Sequence, residues 1–217
     1  MRFPAGTDRT GRPAKILLAS VPAGNRTYNF YDYCDLRLIL HLFTDTMPQP
    51  KFARESITVM TEMVLPNDTN TLNNLMGGRL LHFMDIAAAI AAQKHSNRVV
   101  VTASVDNVSF AEPIRLGNIV TMKAQVTRAF SSSMEVFIEV WAEDIPAGIR
   151  VSTNSAFYTF VAVDQSGRPI EVPGVTPETD EEVDRYASAL RRRQLRLVLA
   201  GRMNAQDATE LREYLKV

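Results

Sequence analysis

A carboxylate, an amide-rich loop and a glycine pair stand together between positions 67 and 85, and together they can do acyl chemistry. Asp85 lies in Arg79–Lys94, a stretch free of Pro and Gly and rich in Leu, Met and Ala, which predicts a helix. On a helical wheel it falls between Ala89 and Ala92 and next to Leu81, among small apolar side chains. A carboxylate desolvated there is costly unless hydrogen-bonded, and its proton affinity then moves toward general-base use. Gly77 and Gly78 open the helix, where free amides and the positive dipole end can face a developing oxyanion. The preceding loop, Asn67 to Asn74, offers amide donors and acceptors. Plainer readings stand beside these. Asp85 can pair with His82 at the rim of a polar arc, and the glycines can serve a tight turn or close packing.

These groups need a frame, and the pattern around them supplies one. Ile57, Val59, Thr61 and Met63 share one parity and predict a strand, broken by Pro66-Asn67-Asp68. After the helix the period changes to two. Val99–Phe110, the alternation around Val120–Thr127 and Met134–Trp141, and Val151–Val163 predict four antiparallel strands. The helix itself is apolar nearly all round, with five alanines in Ala87–Ala92, and should be wrapped by a curved sheet and a partner subunit. After Pro173-Gly174, Thr176-Pro177-Glu178 reads as the N-cap of a tail helix whose acidic residues come early and basic ones late. Its run Arg191-Arg192-Arg193 is balanced by carboxylates, so a solvated or subunit-contacting helix is expected rather than a nucleic-acid site.

The 217 residues carry 24 Lys+Arg against 24 Asp+Glu and are 46% apolar, which is the composition of a globular protein with a real core. Zero net charge excludes a strong field toward nucleic acid or anionic lipid. No run is long enough to span a membrane as a helix. The lone Cys34 builds neither a disulfide nor a cysteine-based metal site, and a reducing, cytoplasmic setting is expected.

The string Pro66-Asn67-Asp68-Thr69-Asn70, then Gly77-Gly78, then Met84-Asp85, resembles the signature of hotdog-fold acyl-CoA thioesterases, particularly the bacterial and cytosolic acyl-CoA hydrolases. The likeness extends through Val108–Ile114 with Gly117, Ser132–Val136 and Phe157–Asp164. It implies an α+β fold, an antiparallel sheet wrapped around a long central helix with a C-terminal helical extension, paired as a double hotdog and commonly assembled as a hexamer. It implies hydrolysis of acyl-CoA to fatty acid and coenzyme A. The implied catalytic residues are Asp85, as general base or nucleophile, Asn70, which positions water or the thioester, and Gly78, with Gly77 beside it around the carbonyl oxygen. Asn107, Arg128, Ser131, Ser132 and Ser133 are candidate coenzyme A contacts, although the serines read equally as a β-turn.

Where this sequence has Asn73, Met76 and Asn118, the family often has Gly, His or an aromatic, and Asp. His82 matches no catalytic position of the family. No metal and no cofactor beyond the coenzyme A of the substrate is expected, and neither nucleic acid nor membrane as partner. The competing functions are a non-catalytic acyl-CoA sensor and an acyl-thioester hydratase or dehydratase. The expected organisation is an N-terminal extension over residues 1–50, a thioesterase domain over 51–173 and a helical tail over 174–217. Met47 reads as the natural start of the working protein, with Leu36–Phe43 as a possible short docking helix before it.

Overall fold

The computed structural model describes residues 48–106 and 108–216. Cys34, Leu36–Phe43, the start at Met47 and Asn107 lie outside them. Five strands form one antiparallel sheet in the order β2 (Thr58–Met63), β4 (Ile119–Ala129), β5 (Ser133–Asp144), β6 (Ile149–Val163), β3 (Val99–Asp106). Against its concave face lies helix α1 (Gly77–Ser96). A short parallel pair, β1 (Lys51–Phe52) with β7 (Val175–Thr176), ties the start of the described chain to the segment before the tail helix. Among the described residues no helix is long and apolar enough to cross a membrane.

The alternation read from the sequence becomes the core. Val120, Met122, Ala124 and Val126 of β4, Met134 to Val140 at even positions of β5, and Ala156 to Ala162 at even positions of β6 are buried against α1. The helix meets them with Leu80, Phe83, Met84, Ala87, Ala88, Ala91 and Ala92. In β2 the outcome differs from the apolar parity. Thr58 is buried and Met60 packs on the core, whereas Val59 and Met63 are 61% and 55% exposed. The buried Ser56 sets this register: its hydroxyl donates to the Ala53 carbonyl at 2.7 Å and accepts from the Val126 amide at 2.9 Å.

A bulge interrupts β3. Thr102 faces Phe160 and Ser104 faces Thr159, so Ala103 has no partner and the parity of the strand switches there. Cross-strand partners share a face, so Val100, Thr102 and Val105 stand on the side of α1, with Asp106 on the other side.

The tail helix α2 (Asp180–Leu199) starts three residues later than Thr176-Pro177 suggested. Val175 and Thr176 are taken by the pairing with β1, and a capping box closes the helix instead: the Thr179 hydroxyl accepts from the Glu182 amide, and the Glu182 carboxylate accepts from the Thr179 amide, both at 3.2 Å. Nor is α2 merely solvated. It packs on the outward face of its own sheet, where Glu135 is fully buried and holds Arg192 through two bonds of 2.7 and 3.0 Å. Thr127 donates to the same carboxylate at 2.8 Å, and Arg196 bridges Glu135 and Asp106. Leaving such a buried charge without its partner costs about 3 to 5 kcal/mol. A third, short helix, α3 (Thr209–Leu215), closes the described chain.

The last turn of α1 is fastened by a buried histidine. His95 donates from Nε2 to the Pro173 carbonyl at 2.8 Å, and its Nδ1 has no partner among the described residues. Burial holds the imidazole below its ordinary value of 6.5, outweighing the pull of the Pro173 carbonyl. The folded state therefore binds fewer protons than the unfolded chain, so the stability His95 gives is complete above about pH 6.5 and declines as the pH falls below it. His95→Gln, which keeps a donor and does not titrate, is expected to flatten the loss of melting temperature between pH 7 and pH 5. An equal slope in both proteins refutes this.

Candidate active site

The loop before α1 is held by its own side chains. The buried Asp68 carboxylate accepts from the Leu65 amide at 3.2 Å and from Arg79 Nε at 2.7 Å, while its carbonyl takes the Met76 amide at 2.9 Å. Asn70 Oδ1 accepts from the amides of Leu72 and Asn74 at 2.9 and 3.2 Å, an Asx-type turn. Asn73 has φ 56°, the left-handed region that favours Gly and that Asn visits more readily than other residues. That is the family's glycine position, so the substitution keeps the turn. Asn118 likewise accepts from the Arg115 amide at 2.9 Å, a role open to Asp.

The loop delivers the chain to α1, which begins at Gly77 without a side-chain cap, so its first amides have no partner within the helix. The two glycines differ. A Cβ on Gly77 would stand 3.2 Å from the Phe110 ring, so close packing explains this residue. At Gly78 a Cβ would meet nothing within 4 Å, and the residue borders the cleft that holds Asp85.

That cleft encloses about 430 Å³ and is lined by Gly78, Leu81, His82, Asp85, Val105, Val108 and Tyr158. Asp85 is half-buried, and its Oδ1 accepts a hydrogen bond from Thr102 Oγ1 at 2.8 Å. The rival pairing with His82 is not formed; His82 is exposed at the mouth and bonds no carboxylate among the described residues. The sequence does not mark Thr102, because its face on β3 follows only from its pairing with Phe160 of β6. Tyr158 lies within the Phe157–Asp164 motif, and its place in the cleft follows from the register of β6. Its hydroxyl lies 3.5 Å from the Leu81 carbonyl, and burial, then the charge of Asp85, push it up to about 12, so it stays protonated.

The other candidates lie elsewhere in the chain. Asn70 is exposed in its loop, does not border the cleft of its own chain, and has no partner for its side-chain NH2 among the described residues. Ser131, Ser132 and Ser133 form the β4–β5 turn, closed by the Phe130 amide on the Ser133 carbonyl at 2.8 Å, and their hydroxyls bond nothing among the described residues. Arg128 lies over the Tyr186 ring at 4.4 Å and donates to the Tyr186 carbonyl at 3.1 Å, on the side of α2. No group of three or more His, Cys, Asp or Glu among the described residues could hold a metal ion.

The sequence profile of the thioesterase superfamily matches residues 72–149. An uncharacterized acyl-CoA thioester hydrolase of Bacillus subtilis, YkhA, is 43% identical over 145 residues, 67% of this chain and 84% of that one. The apo form of a hexameric acyl-CoA thioesterase superposes with TM-score 0.68 at 40% identity, over 70% of this chain and 97% of that one. So does an acyl-CoA hydrolase from Staphylococcus aureus, in complex with butyryl coenzyme A, coenzyme A and coenzyme A disulfide, with TM-score 0.64 at 36% identity over 77% and 99%. Alanine mutants of one asparagine, one aspartate and one threonine of that enzyme have been solved. These three stand at the same intervals along its chain as Asn70, Asp85 and Thr102 along this one.

Asn73→Gly is expected to hold or raise the melting temperature, because the left-handed turn costs Gly nothing. Asn73→Ala is expected to destabilise by about 1 kcal/mol. Equal stability of the two variants in thermal unfolding speaks against a strained position.

Proposed function

The chain belongs to the thioesterase superfamily, and we propose that it hydrolyses acyl-CoA thioesters to the free acid and coenzyme A. One observation carries the reading: a half-buried carboxylate in a largely apolar cleft, fixed by the Thr102 hydroxyl and bordered by the first residues of a helix. Thr102 occupies Oδ1, which leaves Oδ2 to take a proton from water as it attacks the thioester carbon, or to attack that carbon itself. The amides of Gly78 and Gly77 face the carbonyl oxygen as it gains charge, and the coenzyme A thiolate leaves. A hydratase, expected to pair a histidine with its carboxylate, draws no support from a cleft in which Asp85 bonds Thr102 and not His82.

The active assembly is a homo-oligomer, a double hotdog built into a hexamer. Among the described residues strand β3 ends the sheet with an unpaired edge and an outward row including Val99, 67% exposed, and Val101, 47% exposed; Ile86 and Ile90 of α1 are exposed as well. A second copy covers such a surface and brings its own Asn70 to Asp85, which accounts for an Asn70 that does not reach the cleft of its own chain. For the coenzyme, Ser131–Ser133 offer unbonded hydroxyls, and Arg128 keeps donors beyond the one given to Tyr186. The reaction is placed in the cytoplasm, in keeping with a chain that has one cysteine.

Release of free thiol from acyl-CoA substrates tests the activity. Asp85→Asn is expected to lose at least ~10²-fold of the rate with an unchanged melting temperature, and Thr102→Val to lose less, since it removes only the positioning bond. Near-normal turnover by folded Asp85→Asn refutes the assignment. Mixing Asp85→Asn with Asn70→Ala subunits checks the shared site. Activity is expected to return in the hybrids, and hybrids as inactive as their parents place both residues in one subunit's site.

A further inference from the structure

Exposure differs along the cleft. Gly78 and His82 are exposed at its mouth, Val105, the ladder partner of Tyr158, is 43% exposed on one wall, Leu81, Asp85 and Val108 are half-buried, and Tyr158 at its floor is 1% exposed. A thioester with its carbon at Asp85 therefore turns the bulky coenzyme outward and its acyl group toward Tyr158. The phenol crosses the whole space between sheet and helix: it rises from β6 and ends 3.5 Å from the Leu81 carbonyl, one turn before Asp85 on α1. Phe160 stands beside it on the same face of β6, with ring centroids 6.3 Å apart and planes at 14°, and is itself buried, as are Met84 and Met134. In a close-packed interior such a ring has no room to swing away.

We propose that Tyr158 is the specificity-determining residue of the cleft, a stop that admits short acyl groups and rejects long ones. This rests on the acyl-CoA hydrolase reading. The side walls, Leu81, Val105 and Val108, are apolar and suit a hydrocarbon. The floor offers a neutral hydroxyl whose one contact is long, so it neither repels an acyl chain by charge nor gives up a strong bond to meet it. A chain longer than the gap between Asp85 and this ring must fold back toward the mouth, where its methylenes stay in water.

The test is kcat/KM across a series from acetyl-CoA to lauroyl-CoA. For the wild type we expect a maximum among the short chains and a value at least about tenfold lower for lauroyl-CoA, the scale on which a pocket discriminates by methylenes. Tyr158→Leu is expected to move the maximum to longer chains, and Tyr158→Phe, which keeps the shape and loses the hydroxyl, to leave the profile in place. A wild type that hydrolyses lauroyl-CoA as well as butyryl-CoA overturns the proposal without any variant. So does an unshifted profile in a Tyr158→Leu protein of normal melting temperature. Failure to hydrolyse any acyl-CoA is a separate result, which removes the enzymatic reading itself.

Discussion

The distance at which a sheet can close on a helix governs this molecule. Ala87, Ala88, Ala91 and Ala92 give α1 a face with almost no side-chain depth, so the even-numbered residues of β4, β5 and β6 come close to its backbone. Only at that separation does a threonine hydroxyl from the sheet reach a carboxylate on the helix, and a tyrosine from the next strand reach a carbonyl of the same helix. Larger residues on that face would force the layers apart and the site would open. Burial here therefore acts as a spacer as well as a source of stability.

Much of the frame was legible because period and punctuation are local. The change from helical to strand period after Lys94, the break at Pro66, and the alternation of β4 and β5 are each set by residues a few positions apart. The carboxylate was legible as misplaced among alanines. What stayed hidden depends on register. Thr102 and Val105 lie at even and odd positions and still share a face, because the ladder skips Ala103. No single-strand pattern contains that fact. The parity of β2 misleads for a related reason: Ser56, a polar residue outside the strand, decides which side of it is buried. For Asn70 the resemblance named a role that one chain does not complete. His82, the conspicuous histidine of the sequence, stands at the mouth of the cleft and does not bond Asp85.

The outward face of the sheet follows a different logic from the inward one. Toward α1 the contacts are apolar and tolerant of small shifts. Toward α2 they are charged and directional: Arg192 grips Glu135 with two bonds, and Arg196 spans Glu135 and Asp106. The tail's own charges balance and suggested a solvated helix, yet Arg185, Arg192 and Arg196 take buried or half-buried carboxylates of the sheet as partners. Stacking of Arg192 over Phe157 at 3.8 Å and Arg185 over Phe137 at 4.1 Å completes the same seam.

The skipped residue in β3 also bears on how such a strand can diverge over evolution. Before Ala103 the helix-facing Thr102 bonds Asp85; after it the same strand turns one residue, Val105, to the cleft and the next, Asp106, to the anchoring seam. Side chains on either side of the skip can change one at a time, each change felt on one face only. Loss or gain of a single residue there exchanges the faces of everything downstream, setting a carboxylate against the cleft and a valine against Arg196. The strand is thus open to substitution and closed to change of length: what lines the cleft can be altered only while the count between Thr102 and Asp106 stays the same.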